Sequence, residues 1–254
     1  MQDWKKALDT FLKTWRDHEA VVGALVCGSY VVGNPTRHSD IDLHIVLREG
    51  IRWRERGNQI VDGFLIEYFA NPPQQIIEYF KEDYADHSQM AVIQFLTGRI
   101  LFDDGTIQAL KAEAQGWYDK KFPEQPPIVQ ELNKYSLWDR LDNLQDTADQ
   151  DAPHFWFAYH NLLNELLRQY CRFTGYPEIK SYQALDILTK QMTRDKYLLP
   201  VFPDENFQGM MEQALVESDQ AEALRLYERL TQHVLERMSG FEIDGWKVRS
   251  PVSY

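Results

Sequence analysis

Asp40 and Asp42 stand two residues apart in Asp40-Ile41-Asp42-Leu43, with Gly28-Ser29 upstream and a lone acid, Glu67, downstream in Leu65-Ile66-Glu67-Tyr68-Phe69. On a strand, residues i and i+2 project from one face, about 7 Å apart along the backbone. Two carboxylates that close repel, and a protein tolerates them cheaply only at a solvated edge or around a divalent cation. Mg²⁺ is the hard cation that suits such oxygens, and it commonly shares its shell with water and substrate phosphates. The Gly28-Ser29 pair supplies the complementary half: a glycine allows close backbone approach, and turn amides with a hydroxyl can hold phosphate oxygens. Glu67 is the only acid inside the apolar run 64–69, and burying it unpaired would be costly. An isolated Asp-x-Asp would read as a solvent-facing pair. With the turn before it and an acid after it, the set reads as a phosphate-handling site in which Asp40, Asp42 and Glu67 hold metal and carry the catalysis. Glu67 can be a second metal's ligand or the acceptor of a hydroxyl proton, and spacing leaves both open.

These residues need a sheet to bring them together. Residues 21–27 form a short apolar run that turns sharply at Gly28-Ser29, which predicts a buried strand. After the Gly33-Asn34-Pro35-Thr36 loop, 40–47 alternate strictly: Ile41, Leu43, Ile45 and Leu47 on one face, Asp40, Asp42, His44 and Val46 on the other. Gly57-Asn58 lies in a polar stretch, and 60–69 reads as a third strand. Helices are expected at 4–15, capped by Asp3, and at 74–84, 88–97 and 106–120, with a short edge strand at 99–102.

The segment Phe122-Pro123-Glu124-Gln125-Pro126-Pro127 is the clearest linker, because its prolines cannot continue a helix. Beyond it the pattern is helical at 128–146, 153–173, 181–192, 204–217 and 218–238. The expected fold class is thus α+β: a mixed sheet with flanking helices over 1–122, a helical bundle over 128–240, and a tail over 241–254 folded back as a strap.

The chain has 254 residues, 44% hydrophobic and 26% charged, ordinary for a globular protein. Cys27 and Cys171 are its two cysteines, far apart, so neither a disulfide framework nor a thiolate zinc site can be built. No signal-like start and no run of about 18 apolar residues is present, which predicts a cytoplasmic protein without a membrane partner. Net charge is -12 and the basic residues are scattered, which speaks against nucleic acid as a partner and suits a cationic or small neutral one. A homodimer stays open. No Walker A, H-E-x-x-H or G-x-S-x-G pattern occurs.

Cys27-Gly28-Ser29, the loop 30–39, Asp40-Ile41-Asp42-Leu43 and Glu67 together resemble the signature of the DNA polymerase β-type nucleotidyltransferase superfamily. The likeness is specific over about residues 20–70. Many small members carry an arginine soon after the Gly-Ser pair, where this chain has Val31-Val32-Gly33; its nearest basic residue is Arg37, before Ser39-Asp40. The order of catalytic domain and then bundle is similar to two-domain antibiotic (aminoglycoside) nucleotidyltransferases. That resemblance implies ATP and Mg²⁺, nucleotide contacts from Gly28, Ser29, Arg37 and Ser39, and AMP transfer to a hydroxyl of a small, aminoglycoside-like acceptor bound with help from the bundle. It also implies a nucleotide contact from Lys180, in Pro177-Glu178-Ile179-Lys180-Ser181; a solvated loop lysine is the alternative. Other implied functions are AMP transfer to a partner toxin, which the attached bundle disfavours, and a non-catalytic nucleotide sensor, which the intact acids disfavour.

The remaining candidates read as structural. His44 shares the face of Asp40 and Asp42 and reads as a hydrogen-bonded support. His154 and His160 flank Phe155-Trp156-Phe157 without metal-ligand spacing. Glu131, Asp139 and Asp142 read as a solvated helix face rather than a wall for a cationic acceptor.

Overall fold

The computed structural model of the chain describes residues 3–33, 35–150 and 153–249. Asn34 of the 33–36 loop and residues 250–254 of the tail lie outside the described residues. The chain divides into two compact units, Met1–Lys121 and Phe122–Tyr254. Among the described residues no helix is long and apolar enough to cross a membrane.

The first unit opens with α1 (Trp4–Arg16), whose start is fixed by Asp3 accepting from Lys5 N and which buries Ala7, Leu8, Phe11 and Leu12. Strand β1 (Val21–Cys27) and a one-turn helix α2 (Ser29–Val32) follow, joined at Gly28. Next come β2 (Ile41–Leu47), β3 (Glu55–Val61) and β4 (Phe64–Asn71). The unit continues through α3 (Pro73–Ala85), α4 (Met90–Thr97), β5 (Arg99–Asp103) and α5 (Thr106–Tyr118). The five strands lie in the order β3-β4-β2-β1-β5. β2 runs antiparallel to β1 and parallel to β4.

Strand alternation gives the sheet two buried faces. Ala24, Val26, Ile41, Leu43, Ile45, Ile66 and Ala70 pack with Leu8, Phe11 and Leu12 of α1. On the other face Leu25, Cys27 and Val46 meet Ile76 and Phe80 of α3, Val92 and Phe95 of α4, and Ile107 and Leu110 of α5. Asp42 and Glu67 belong to that second face, where the helical cover ends.

The single strand expected at 60–69 is in fact two, β3 and β4, folded at Asp62-Gly63. Both turn residues have positive φ, 49° and 82°, the backbone that Asp-Gly adopts in a tight hairpin. The polar stretch around Gly57-Asn58 is therefore sheet rather than loop. It is an edge strand, paired only with β4 and largely exposed, so it lacks an apolar signature.

The second unit is helical: α6 (Pro127–Asp149), α7 (Phe155–Thr174), a 3₁₀ turn (Ser181–Gln183), α8 (Ala184–Thr189), α9 (Gln191–Lys196), α10 (Glu205–Val216) and α11 (Gln220–Arg237). Its core includes Leu137, Leu144, Tyr159, Leu163, Tyr170, Phe207, Met211, Tyr227 and Val234. Asp204 caps α10 through Phe207 N and also accepts from Tyr170 Oη at 2.5 Å and His233 Nε2 at 2.8 Å. The helix expected at 181–192 is broken at Lys190, which is extended. The break is tolerated because Arg194 Nη1 donates to Ile187 O and Leu188 O, and Gln208 Nε2 to Leu188 O. Within the described tail, Trp246 stacks on Tyr135 of α6 with ring centres 4.5 Å apart.

Candidate active site

Parallel pairing of β2 with β4 sets Asp42 directly beside Glu67, and Asp40 lies just ahead of β2. One carboxylate oxygen from each of Asp40, Asp42 and Glu67 falls within 4.8 Å of the others. All three side chains are half-buried. Burial first, and then the charges of Asp40 and Glu67, push the Asp42 carboxyl up from its ordinary value to about 6. An ionised Asp42 is thus held at a cost that a cation would remove. Three converging carboxylate oxygens and a raised acid are the donor set of a hard divalent ion, so the residues present fit Mg²⁺.

Gly28 sits against this cluster. Its φ of 74° and ψ of −161° belong to a region open essentially to glycine alone. A Cβ built there would lie 1.9 Å from Asp42 Oδ2. The glycine is required by contact as well as by conformation: the main chain of the turn touches the carboxylate. Ser29 opens α2 next to it, and the Gly28 carbonyl accepts from Val31 N at 3.0 Å and Val32 N at 3.1 Å. Cys27, opposite Asp42 in the β1–β2 register, is buried, and burial followed by the charges of Asp42 and Asp40 raises its thiol well above the ordinary range. It stays protonated and inert.

Arg37 and Ser39 occupy the loop before β2. Ser39 Oγ accepts from Thr36 N at 2.8 Å, closing a small turn, and Arg37 is exposed, its Nε donating to His38 Nε2 at 2.9 Å. Lys180 belongs to the unit Phe122–Tyr254, where its Nζ lies 3.9 Å from Glu178, a carboxylate that Arg172 also faces.

Arg56 escapes the sequence pattern. From β3 its Nη2 donates to Glu67 Oε1 at 2.7 Å, and its guanidinium lies over the Phe69 ring, 4.8 Å from the centroid. Register explains the pairing: Asn58 is opposite Glu67 and Arg56 opposite Phe69, so Arg56 reaches Glu67 along the diagonal. The signal that could have found it is Asp62-Gly63, from which the hairpin register can be counted back. His44 is buried, its Nε2 3.1 Å from Gln94 Oε1 and its ring between Phe69 and Phe95. Burial lowers its pKa to about 4, the Gln94 contact opposing, so the imidazole is neutral.

Residues 8–102 match the family model described as "Nucleotidyltransferase domain". No curated protein matches the chain. Among solved structures it is similar to a nucleotidyltransferase-like protein from Exiguobacterium sibiricum 255-15, with 15% identity, 92% of this chain and 75% of that one covered, and a TM-score of 0.46. The matched segment contains Gly28, Ser29, Asp40, Asp42 and Glu67. The match to a nucleotidyltransferase domain of the polymerase β-like kind, in which divalent-metal chemistry is general, is thus carried by residues 8–102.

Proposed function

We propose that the chain transfers a nucleoside monophosphate, AMP from ATP, to a hydroxyl of a small molecule with Mg²⁺ as cofactor. The observation that carries this reading is the convergence of Asp40, Asp42 and Glu67 within 4.8 Å. When bound, Mg²⁺ supplies neutralisation of charge on the phosphates. The chain's own residues do the rest. Asp40 and Asp42 hold the ion, and the Gly28-Ser29 turn receives phosphate oxygens with its amides and hydroxyl. The acceptor oxygen attacks the α-phosphorus as the α–β anhydride bond breaks and pyrophosphate leaves. Glu67, whose Oε1 accepts from Arg56 Nη2, completes the ion's shell or takes the hydroxyl proton. Positioning in this manner accounts for much of the rate.

Incubation with labelled ATP, Mg²⁺ and a panel of hydroxylated small molecules, followed by separation of compounds from polypeptides, tests the reading. Label on a small molecule with release of pyrophosphate is expected. Label on protein would favour AMP transfer to a protein partner, and stabilisation by ATP without pyrophosphate release would favour a sensor.

Arg56 competes for the carboxylate that the ion needs and adds a like charge beside it. Arg56→Ala should therefore tighten Mn²⁺ binding in the absence of nucleotide by about three- to tenfold, read by titration calorimetry. Unchanged or weaker binding would mean that Arg56 does not oppose the ion.

A further inference from the structure

A cavity of ≈ 470 Å³ opens between β4, the edge strand β3 and helices α3 and α4, within the size range of small-molecule sites. Its lining carries charges of both signs on different elements. Arg54, just ahead of β3, and Arg56, within it, stand two residues apart and both line the cavity. Helix α3 contributes Glu82 and Asp83. No ion pair joins either arginine to either of these acids among the described residues, so the two signs are held apart across the opening.

Three of the charges already have protein partners. Arg56 Nη2 donates to Glu67 Oε1, Glu55 Oε1 accepts from Tyr68 Oη at 2.6 Å, and Asp83 Oδ2 accepts from Ala91 N at 2.6 Å. The other two do not have a counter-charge. Arg54 Nη1 donates to the neutral Tyr79 Oη at 2.9 Å and meets no carboxylate among the described residues. The Glu82 carboxylate has neither a hydrogen bond nor an ion pair among them. Both residues are exposed, so a ligand can reach them. A simple anion drawn to Arg54 would face Glu82 and Asp83, and a simple cation drawn to those acids would face Arg54 and Arg56, whereas a molecule carrying both signs satisfies both sides. The lining also includes Phe69, Met90 and Ala91, which suit an apolar side chain.

We propose that this cavity binds a free α-amino acid with an apolar side chain, its carboxylate accepting from Arg54 and its ammonium donating to Glu82 beside Asp83. At neutral pH such a molecule carries its two charges about 3 Å apart, and charge-assisted hydrogen bonds of about 2.8 Å at either end let it bridge the opposed groups. The inference goes beyond the nucleotidyl-transfer reading and does not depend on it, since binding is measured without nucleotide or metal.

Ligand-observed NMR titration of the full chain with L-phenylalanine, N-acetyl-L-phenylalanine and L-phenylalaninamide tests it, because each derivative removes one charge and keeps the side chain. Phenylalanine is expected to bind with a Kd of ~0.1–1 mM, and each derivative at least about tenfold more weakly. Two variants locate the ends of the ligand. Arg54→Gln should weaken phenylalanine about tenfold and bring it level with phenylalaninamide, which has no carboxylate to lose. Glu82→Gln should weaken phenylalanine by a similar factor and bring it level with N-acetyl-L-phenylalanine, which has no ammonium. Both side chains are exposed, so the substitutions leave the fold intact. No phenylalanine binding by wild type, a derivative bound as tightly as phenylalanine, or variants that bind like wild type would overturn the assignment. Failure of the transfer reading would look different: no pyrophosphate release from ATP while phenylalanine binding remained.

Discussion

Asp42→Asn should make the metal-free protein more stable while abolishing nucleotidyl transfer. In the folded chain the Asp42 carboxyl is pushed up to about 6 by burial, then by Asp40 and Glu67, against an ordinary value of 3.8. A carboxyl whose pKa is higher folded than unfolded contributes fully below the unfolded value, and that contribution is lost as pH rises through about 6. Above that pH the ionised group therefore opposes folding, by about 1–2 kcal/mol once solvent screening at this half-buried site is allowed for. Asparagine has the same shape and no charge, so it returns that energy. Denaturant unfolding in the presence of a chelator should show the variant ahead at pH 7.5, the gap closing as pH falls through 6 towards 4. A variant less stable than wild type at pH 7.5 would contradict the electrostatic reading. Transfer activity should fall on the order of 10³-fold, because one of the three ligand groups is lost. A more stable yet inactive protein separates chemistry from misfolding.

Gly28→Ala should damage the site through shape alone. The positive φ of 74° already disfavours a side chain, and the new methyl would lie 1.9 Å from Asp42 Oδ2. Strain of this kind costs roughly 1–3 kcal/mol, and relief requires the Asp42 carboxylate to swing away from Asp40 and Glu67. Melting temperature should drop, and Mn²⁺ binding by the folded fraction should weaken by about a hundredfold or more, the loss that follows a misplaced ligand. Gly33→Ala is the comparison: that glycine also has positive φ, 89°, yet a Cβ there meets nothing within 4 Å. It should lose stability by strain alone and keep its ion affinity. Equal ion binding in Gly28→Ala and wild type would show that contact between turn and carboxylate is immaterial.

Much of the site was legible because period-two alternation states a strand's faces directly. Asp40 and Asp42 fell opposite Ile41 and Leu43, and Glu67 stood out as the one acid in an apolar run, which a parallel neighbour then set beside Asp42. What the sequence hid was the edge. β3 carries Glu55, Arg56, Asn58 and Gln59, exposed residues with no apolar pattern, since one side of the strand has no partner and its faces are wet. Arg56 was hidden with it, although Asp62-Gly63 gave the hairpin that brings it to Glu67. The helix break at Lys190 was hidden for another reason: its freed carbonyls are satisfied by Arg194 and by Gln208, and the Gln208 contact comes from a separate helix that no local pattern encodes.

The carboxylate cluster itself can be tested by anomalous diffraction at the manganese edge, on crystals of the full chain grown with Mn²⁺ and a non-hydrolysable ATP analogue. The expected map has an anomalous peak bonded to carboxylate oxygens of Asp40 and Asp42, adjacent to Glu67, with the analogue's phosphates beside Gly28 and Ser29. A nucleotide bound elsewhere, or manganese absent from these three side chains while the nucleotide is in place, would contradict it.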